Sequence, residues 1–224
     1  MDAREPVITI DGPAGAGKGT VAQCLAKRLG YRLLDTGAMY RAVALSVAKR
    51  HLATDDQEAL RRHVATIDVS IVDGRVYLDR EDVTNEIRTQ EIGLLTSVIS
   101  ALRAVREKLT PLQRRAAATG GVVLEGRDTG TVVCPDAEVK FYLTASLEAR
   151  ARRRHAELAA QGVREPLDRV REKVRARDVQ DETRQLAPLK RAPDAIELDT
   201  SDLTVDEVVE RMLAAIETRC STRS

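Results

Sequence analysis

Residues 12–20 read Gly-Pro-Ala-Gly-Ala-Gly-Lys-Gly-Thr, directly after an apolar run at 7–10 and directly before a stretch of helical periodicity. Closely spaced glycines let successive backbone N–H groups turn toward one anion. A lysine adds a point charge, and the N-terminus of the following helix adds its positive dipole. Such a loop, here Gly12, Pro13, Ala14, Gly15, Ala16, Gly17, Lys18, Gly19 and Thr20, grips the phosphates of a nucleoside triphosphate with little side-chain chemistry. The bland alternative is a glycine-rich turn with Lys18 a solvated charge, and it leaves the lysine spacing and the flanking strand and helix unexplained. One position departs from the general pattern: Gly19 stands where serine or threonine usually follows the lysine, and the hydroxyl is postponed to Thr20. Direct ligation of a metal by the protein is therefore not expected, Thr20 being the one candidate in the loop.

A phosphate-gripping loop says what is bound and leaves the reaction open. Three further segments bear on it. Asp35-Thr36-Gly37 closes a second apolar run, and Tyr40-Arg41 follow one helical turn later. Thr36 and Arg41 either face a phosphate or serve as a helix N-cap and an exposed helix arginine, and sequence leaves both open. Gly126-Arg127-Asp128 follows the run 122–125. A glycine for close approach, an arginine fork and a carboxylate acceptor can together grip a phosphate and a donor-bearing base or sugar, which favours function there. The segment 175–184, Arg-Ala-Arg-Asp-Val-Gln-Asp-Glu-Thr-Arg, interleaves arginines and aspartates at helical spacing. Local i,i+4 ion pairs would account for it, but its arginines suit phosphate oxygens better than lysines would. Arginines converging on phosphates are what phosphoryl transfer needs, because its loose transition state asks for alignment and positive charge more than for a strong base.

These groups must be held by a scaffold. Apolar runs at 7–10, 32–34, 122–124, 139–143 and 196–198 predict five buried parallel strands. Helices are expected at 18–29, 38–50, 101–118, 147–160, 167–178 and 204–219, the last opened by the capping box Thr204-Val205-Asp206-Glu207. Strands alternating with helices make an α/β protein with a doubly wound five-stranded parallel sheet. The long interval before the third core strand predicts an insertion, about 52–96, in which runs at 69–72 and 75–78 flank the hairpin dipeptide Asp73-Gly74. A second excursion, about 150–166, begins at Arg150-Ala-Arg-Arg-Arg, breaks at Gln161-Gly162 and has the shape of a short helical lid. Closing such elements over two substrates keeps water out.

With 224 residues the chain fits one compact domain with an inserted lobe better than two independent domains. Its 36 basic and 35 acidic side chains, net +1, argue against a nucleic-acid polymer as partner. Nothing approaches the roughly 20 apolar residues that span a bilayer, and residues 1–5 lack the apolar core of an export signal, so a cytoplasmic protein is expected. Cys24, Cys134 and Cys220 are scattered and read as reduced thiols, packing suiting Cys24 and Cys134 better than catalysis; His51, His63 and His155 are isolated, and no metal site is expected. One phenylalanine and no tryptophan make an aromatic stacking platform for a base unexpected.

Val-Ile-Thr-Ile-Asp-Gly-Pro-Ala-Gly-Ala-Gly-Lys-Gly-Thr, Leu-Leu-Asp-Thr-Gly-Ala-Met-Tyr-Arg, Glu-Ile-Arg-Thr-Gln-Glu, Glu-Gly-Arg-Asp-Thr-Gly-Thr-Val-Val and Ala-Pro-Leu occur in that order over nearly the whole chain. In these segments the chain resembles the nucleoside monophosphate kinases of the P-loop class and, within them, the bacterial cytidylate kinases. The resemblance implies transfer of the γ-phosphoryl of ATP to CMP or dCMP, with Mg2+ carried largely by the nucleotide and water, and with the insertion as a monophosphate-binding lobe; nothing in the sequence demands more than a monomer. Gly-Lys-Gly-Thr is also the family's loop ending. By position the resemblance implies that Lys18 and Thr20 hold ATP phosphates and that Arg41 and Arg127 hold the acceptor phosphate beside Thr36, where the family commonly has serine. Ser97, Arg106 and Asp128 would read cytosine, Arg177 and Asp181 would face the sugar and phosphate, and Arg153 and Arg184 would lie toward ATP. Lys18, Arg127, Arg153 and Arg184 thus form the expected catalytic set. Rival readings are a kinase of the same fold for UMP, AMP or a non-nucleotide alcohol, and a nucleotide-driven switch with no acceptor.

Overall fold

The computed structural model describes residues 4–221. The chain forms two compact units, one running to Leu33 and resuming at Gly120, the other Leu34–Thr119. The first opens with β1 (Val7–Asp11) and α1 (Lys18–Leu29), followed by β2 (Arg32–Asp35), at which the second unit begins. That unit holds α2 (Thr36–Lys49), α3 (Gln57–Thr66), the antiparallel β3 (Val69–Val72), β4 (Arg75–Leu78) and β5 (Glu81–Asp82), then α4 (Gln90–Ile99) and α5 (Arg103–Ala117). The first unit resumes with β6 (Val122–Glu125), β7 (Val139–Thr144), α6 (Leu147–Ala160), α7 (Leu167–Thr183), β8 (Ile196–Asp199) and α8 (Val205–Ser221).

The five predicted core strands form the parallel sheet, in the order β2-β6-β1-β7-β8. All of β1 is buried and β6 and β7 nearly so, which is why they read as unbroken apolar runs rather than alternating ones. Ile8, Ile10, Val123, Val139, Phe141 and Leu143 pack with Val21, Ala22, Leu25 and Ala26 of α1 and with Val208, Val209, Met212 and Ile216 of α8. Cys24 and Cys220 lie against this core as free thiols. From β1 the sheet is built outward in both directions, so its switch point lies at the carboxyl end of β1, where open α/β sheets take their ligands. Residues 12–20 occupy that end.

Several elements lie as their local signals require. Asp73 (φ 49°) and Gly74 (φ 75°) turn the β3–β4 hairpin, and Val69 pairs with Leu78 across it. Thr204 and Glu207 close both legs of the capping box, at 2.8 and 3.3 Å. Other boundaries move. Asp35, rather than Thr36, caps α2 by accepting from the Ala38 N–H at 2.9 Å, so the helix starts at Thr36 instead of residue 38. Helix α7 runs on to Thr183, five residues past the expected 178, and carries Asp181 with it. Helices α3 and α4 and strand β5 were not expected; Gly93 and the β-branched Ile92, Thr96, Val98 and Ile99 make α4 a weak helix in isolation. The second unit contains the segment 52–96, and Leu147, Leu158, Val170 and Val174 pack α6 against α7 beyond the Gly162 break.

Candidate active site

The phosphate loop joins β1 to α1 through glycines at positive φ. Gly12 has φ 145°, and a side chain there would collide with the Leu143 carbonyl; Gly17 caps α1 in the left-handed region at φ 84°. Lys18, buried, folds back so that Nζ donates to the Pro13 carbonyl at 2.8 Å and stands 3.8 Å from Glu125 at the end of β6. Burial pulls its ammonium down to about 7, with Arg127 and Arg177 adding repulsion and Glu125 only partly compensating. A Cβ at 19 would meet nothing within 4 Å, so crowding does not account for the glycine there; Thr20 is exposed.

Beside the loop, Arg127, Asp128, Asp181 and Arg184 form a buried network in the same unit. Arg127 Nε donates to Asp181 Oδ2 at 3.0 Å, and Arg184 Nη2 donates to Asp128 Oδ1 at 3.2 Å. Arg184 Nη1 lies 3.8 Å from Asp181, and its Nε donates to the Ala187 carbonyl at 2.6 Å. Burial works against the charge of Arg127, but Asp181 and Glu125 outweigh it and hold the guanidinium above its ordinary pKa. Taking two cations and two carboxylates out of water costs more than an apolar patch of the same size would, so stability alone is a poor reason for such a network. Two carboxylates of segment 175–184 reach partners outside that segment. Asp178 binds Arg150 of α6, and Asp181 binds Arg127 and Arg184. Arg177 is near enough to Lys18 to depress its pKa.

Sequence reasoning passed over four residues here. Asp11, a carboxylate ending an apolar strand, accepts from the Thr129 N–H (2.9 Å) and hydroxyl (2.8 Å) and from the Gly130 N–H (2.7 Å). It thereby anchors the single π-helical turn Thr129–Val133 that follows Asp128. Burial raises its pKa despite these bonds. Glu125 faces Lys18, and Arg150 donates to the Ala14 carbonyl at 3.1 Å. Thr200 lies within 3.1 Å of the Ala16 carbonyl and accepts from Arg153 Nη1 at 3.0 Å. A carboxylate ending an apolar run was the only signal for Asp11 and Glu125, Arg150 was one of several undistinguished arginines at the start of the expected lid, and for Thr200 there was no signal.

The other expected site residues belong to the second unit. Thr36 is buried at the first turn of α2. Arg41 donates to the Ile87 carbonyl at 3.0 Å and lies over Gly93, where a Cβ would come within 3.4 Å of its guanidinium. Arg106 donates from Nε to the Ser100 carbonyl at 2.8 Å, with Cζ 5.6 Å from the Tyr40 ring centroid, while the Ser100 hydroxyl donates to the Ser97 carbonyl at 3.1 Å. Arg41 is thus a packed, partly buried arginine rather than a solvated one.

A family model described as cytidylate kinase matches residues 8–218. The chain belongs to the cytidylate kinase family. It is 52% identical over 217 residues to the cytidylate kinase of Geobacter sp. (strain M21), covering 95% of this chain and 93% of the relative. It is 51% identical, at the same coverage, to that of Citrifermentans bemidjiense, and 48% identical to that of Carboxydothermus hydrogenoformans, covering 93% and 96%. Membership of the cytidylate kinase family agrees with the α/β sheet and phosphate loop described above. No helix among the described residues is long and apolar enough to cross a membrane, and no group of three acidic, histidine or cysteine side chains there could hold a metal ion.

Proposed function

We propose that the protein transfers the γ-phosphoryl group of ATP to CMP or dCMP, giving ADP and CDP or dCDP. The observation that carries this is the pairing, in one unit, of a glycine loop holding a buried Lys18 with the Arg127–Asp181–Arg184–Asp128 network at the carboxyl ends of β1 and β6. Family membership supplies the acceptor.

ATP is placed with its phosphates on residues 12–20. Lys18 offers its charge to the transferring group, and Mg2+ arrives on the nucleotide as part of the substrate, Thr20 being the hydroxyl nearest the lysine in the chain. An oxygen of the acceptor monophosphate attacks the γ-phosphorus while the bond to the β-phosphate oxygen breaks. The charge spread over the phosphoryl oxygens is met by Lys18, Arg127, Arg153 and Arg184. Arg127, Arg177 and Asp181 serve the acceptor's phosphate and sugar, and Thr36 and Arg41 its phosphate. Ser97, Arg106 and Asp128 read the base, Asp128 accepting from the cytosine amine; uracil would turn a carbonyl toward that carboxylate, which repels it. Action as a monomer in the cytoplasm belongs to the same proposal.

ADP formation from MgATP with CMP, dCMP, UMP, AMP or no acceptor tests it. Turnover confined to CMP and dCMP is expected. Preference for UMP or AMP would remove the base-reading role of Asp128, and acceptor-independent hydrolysis would replace the kinase by a nucleotide-driven switch.

A further inference from the structure

Thr200 follows β8 and is 2% exposed. Its N–H donates to the Thr144 carbonyl at 2.8 Å, at the end of β7. Its hydroxyl lies 3.1 Å from the Ala16 carbonyl and 3.0 Å from that of Thr144. The single hydroxyl proton is within reach of both carbonyls, so the hydroxyl bridges the Ala16 peptide to the end of β7. The hydroxyl oxygen in turn accepts from Arg153 Nη1 at 3.0 Å, and Arg153 Nη2 donates to the Thr200 carbonyl. Arg153 thereby stands beside the loop, its Nη1 3.9 Å from where a Cβ on Gly17 would lie.

The Ala16 carbonyl and the Gly17 N–H share one planar peptide and point in opposite directions. Holding the carbonyl from behind fixes the aim of the N–H, which is one of the donors a phosphate-gripping loop presents to its anion. Glycines on both sides of Ala16, at φ 76° and 84°, give this peptide unusual freedom to turn over if nothing holds it. We propose that Thr200 is a positioning residue of the phosphate loop: its hydroxyl ties the Ala16–Gly17 peptide to the Arg153 guanidinium, so that loop and arginine are set for the triphosphate together. The effect on turnover rests on the phosphoryl-transfer reading; the effect on ATP binding does not.

The test compares Thr200→Val, which keeps the shape and loses the hydroxyl, with Thr200→Ser, which keeps the hydroxyl. ATP and CMP dissociation constants are measured separately by calorimetry, together with kcat. In Thr200→Val the ATP dissociation constant rises roughly tenfold and kcat falls, as expected for loss of a buried hydrogen bond to the loop, while CMP affinity stays within about twofold. Thr200→Ser stays within about twofold of the parent on all three. If Thr200→Val does not fold, Thr200→Cys, of similar size with only a weak donor, carries the same comparison and the same expected direction. Unchanged ATP affinity in the valine or cysteine variant, an equal loss in the serine variant, or equal losses for ATP and CMP would overturn the assignment. A parent protein that binds ATP and leaves CMP unphosphorylated overturns the proposed function instead, and the ATP constants still decide Thr200.

Discussion

Lys18 and Arg127 are both cations of the first unit that burial works against, yet their pKa values end on opposite sides of the ordinary ones. Lys18 is drawn down to about 7, whereas Arg127 is held above its ordinary value. Distance to a carboxylate separates them: Asp181 lies 3.0 Å from Arg127, and Glu125 lies 3.8 Å from Lys18. The phosphate loop works mainly through backbone dipoles, which need no counter-charge, and its one side-chain cation is left short of negative charge. The arginine–aspartate network is built wholly of side chains and balances itself, two cations against two carboxylates. On the proposed function, a triphosphate would complete the charge around Lys18, while an acceptor would have to enter a network already paired. Binding ATP should strengthen the positive state of the lysine; binding the acceptor should exchange partners among existing charges.

The sharpest way to break this contrast is Lys18→Met, which removes the cation and keeps the length of the side chain. We expect kcat/KM to fall about 10³-fold, comparable to the larger losses seen when one oxyanion donor is deleted, with the thermal midpoint unchanged or raised because an underpaired buried charge has gone. A small kinetic loss with a collapsed midpoint would make Lys18 a structural residue. Asp128→Ala ranks next. It should cut kcat/KM for CMP about 10²-fold while ATP affinity stays within about threefold, because the buried acceptor for the base is lost and the ATP loop is untouched. Equal losses for both nucleotides would reduce Asp128 to a partner for Arg184.

How far each region could be read from sequence follows the same division. The loop was legible because backbone geometry dictates residue type: no side chain fits at Gly12, and Gly17 takes a left-handed conformation that favours glycine. The Asp73-Gly74 turn and the Thr204–Glu207 box were legible for the same reason, each being a bargain between residues at most three apart. The network was legible only in its ingredients. Arg127 and Asp181 are 54 residues apart and Arg150 and Asp178 are 28 apart, so the local partners that helical spacing in 175–184 offers could not reveal these long-range ones. Once α7 continues to Thr183, Asp181 reaches Arg127 and Arg184. Asp11 and the π-helical turn it anchors carry no local pattern, since the carboxylate's partners lie 118 and 119 positions away.

The smallest expected effect is the one that tests the contrast most directly, because it alters no residue. In the free protein, burial lowers the Lys18 pKa to about 7, so the ammonium is present below that pH and increasingly lost above it. The phosphates of bound ATP favour the charged form and raise the pKa again. Between the two values each binding event must take up a proton, and affinity must fall as pH rises. Below pH 7 this dependence vanishes, since the lysine is charged in both states. The secondary ionisation of a phosphate, near pH 6, is complete over the range in question and does not reverse the sign. We expect ATP affinity to drop by up to about tenfold per pH unit above 7, and calorimetry at pH 8 in buffers of different ionisation enthalpy to show net proton uptake. Lys18→Met should abolish that uptake while Asp128→Ala retains it. Flat affinity from pH 7 to 8.5 would mean that Glu125 already balances Lys18, and that the loop, like the arginine network, is paired before its ligand arrives.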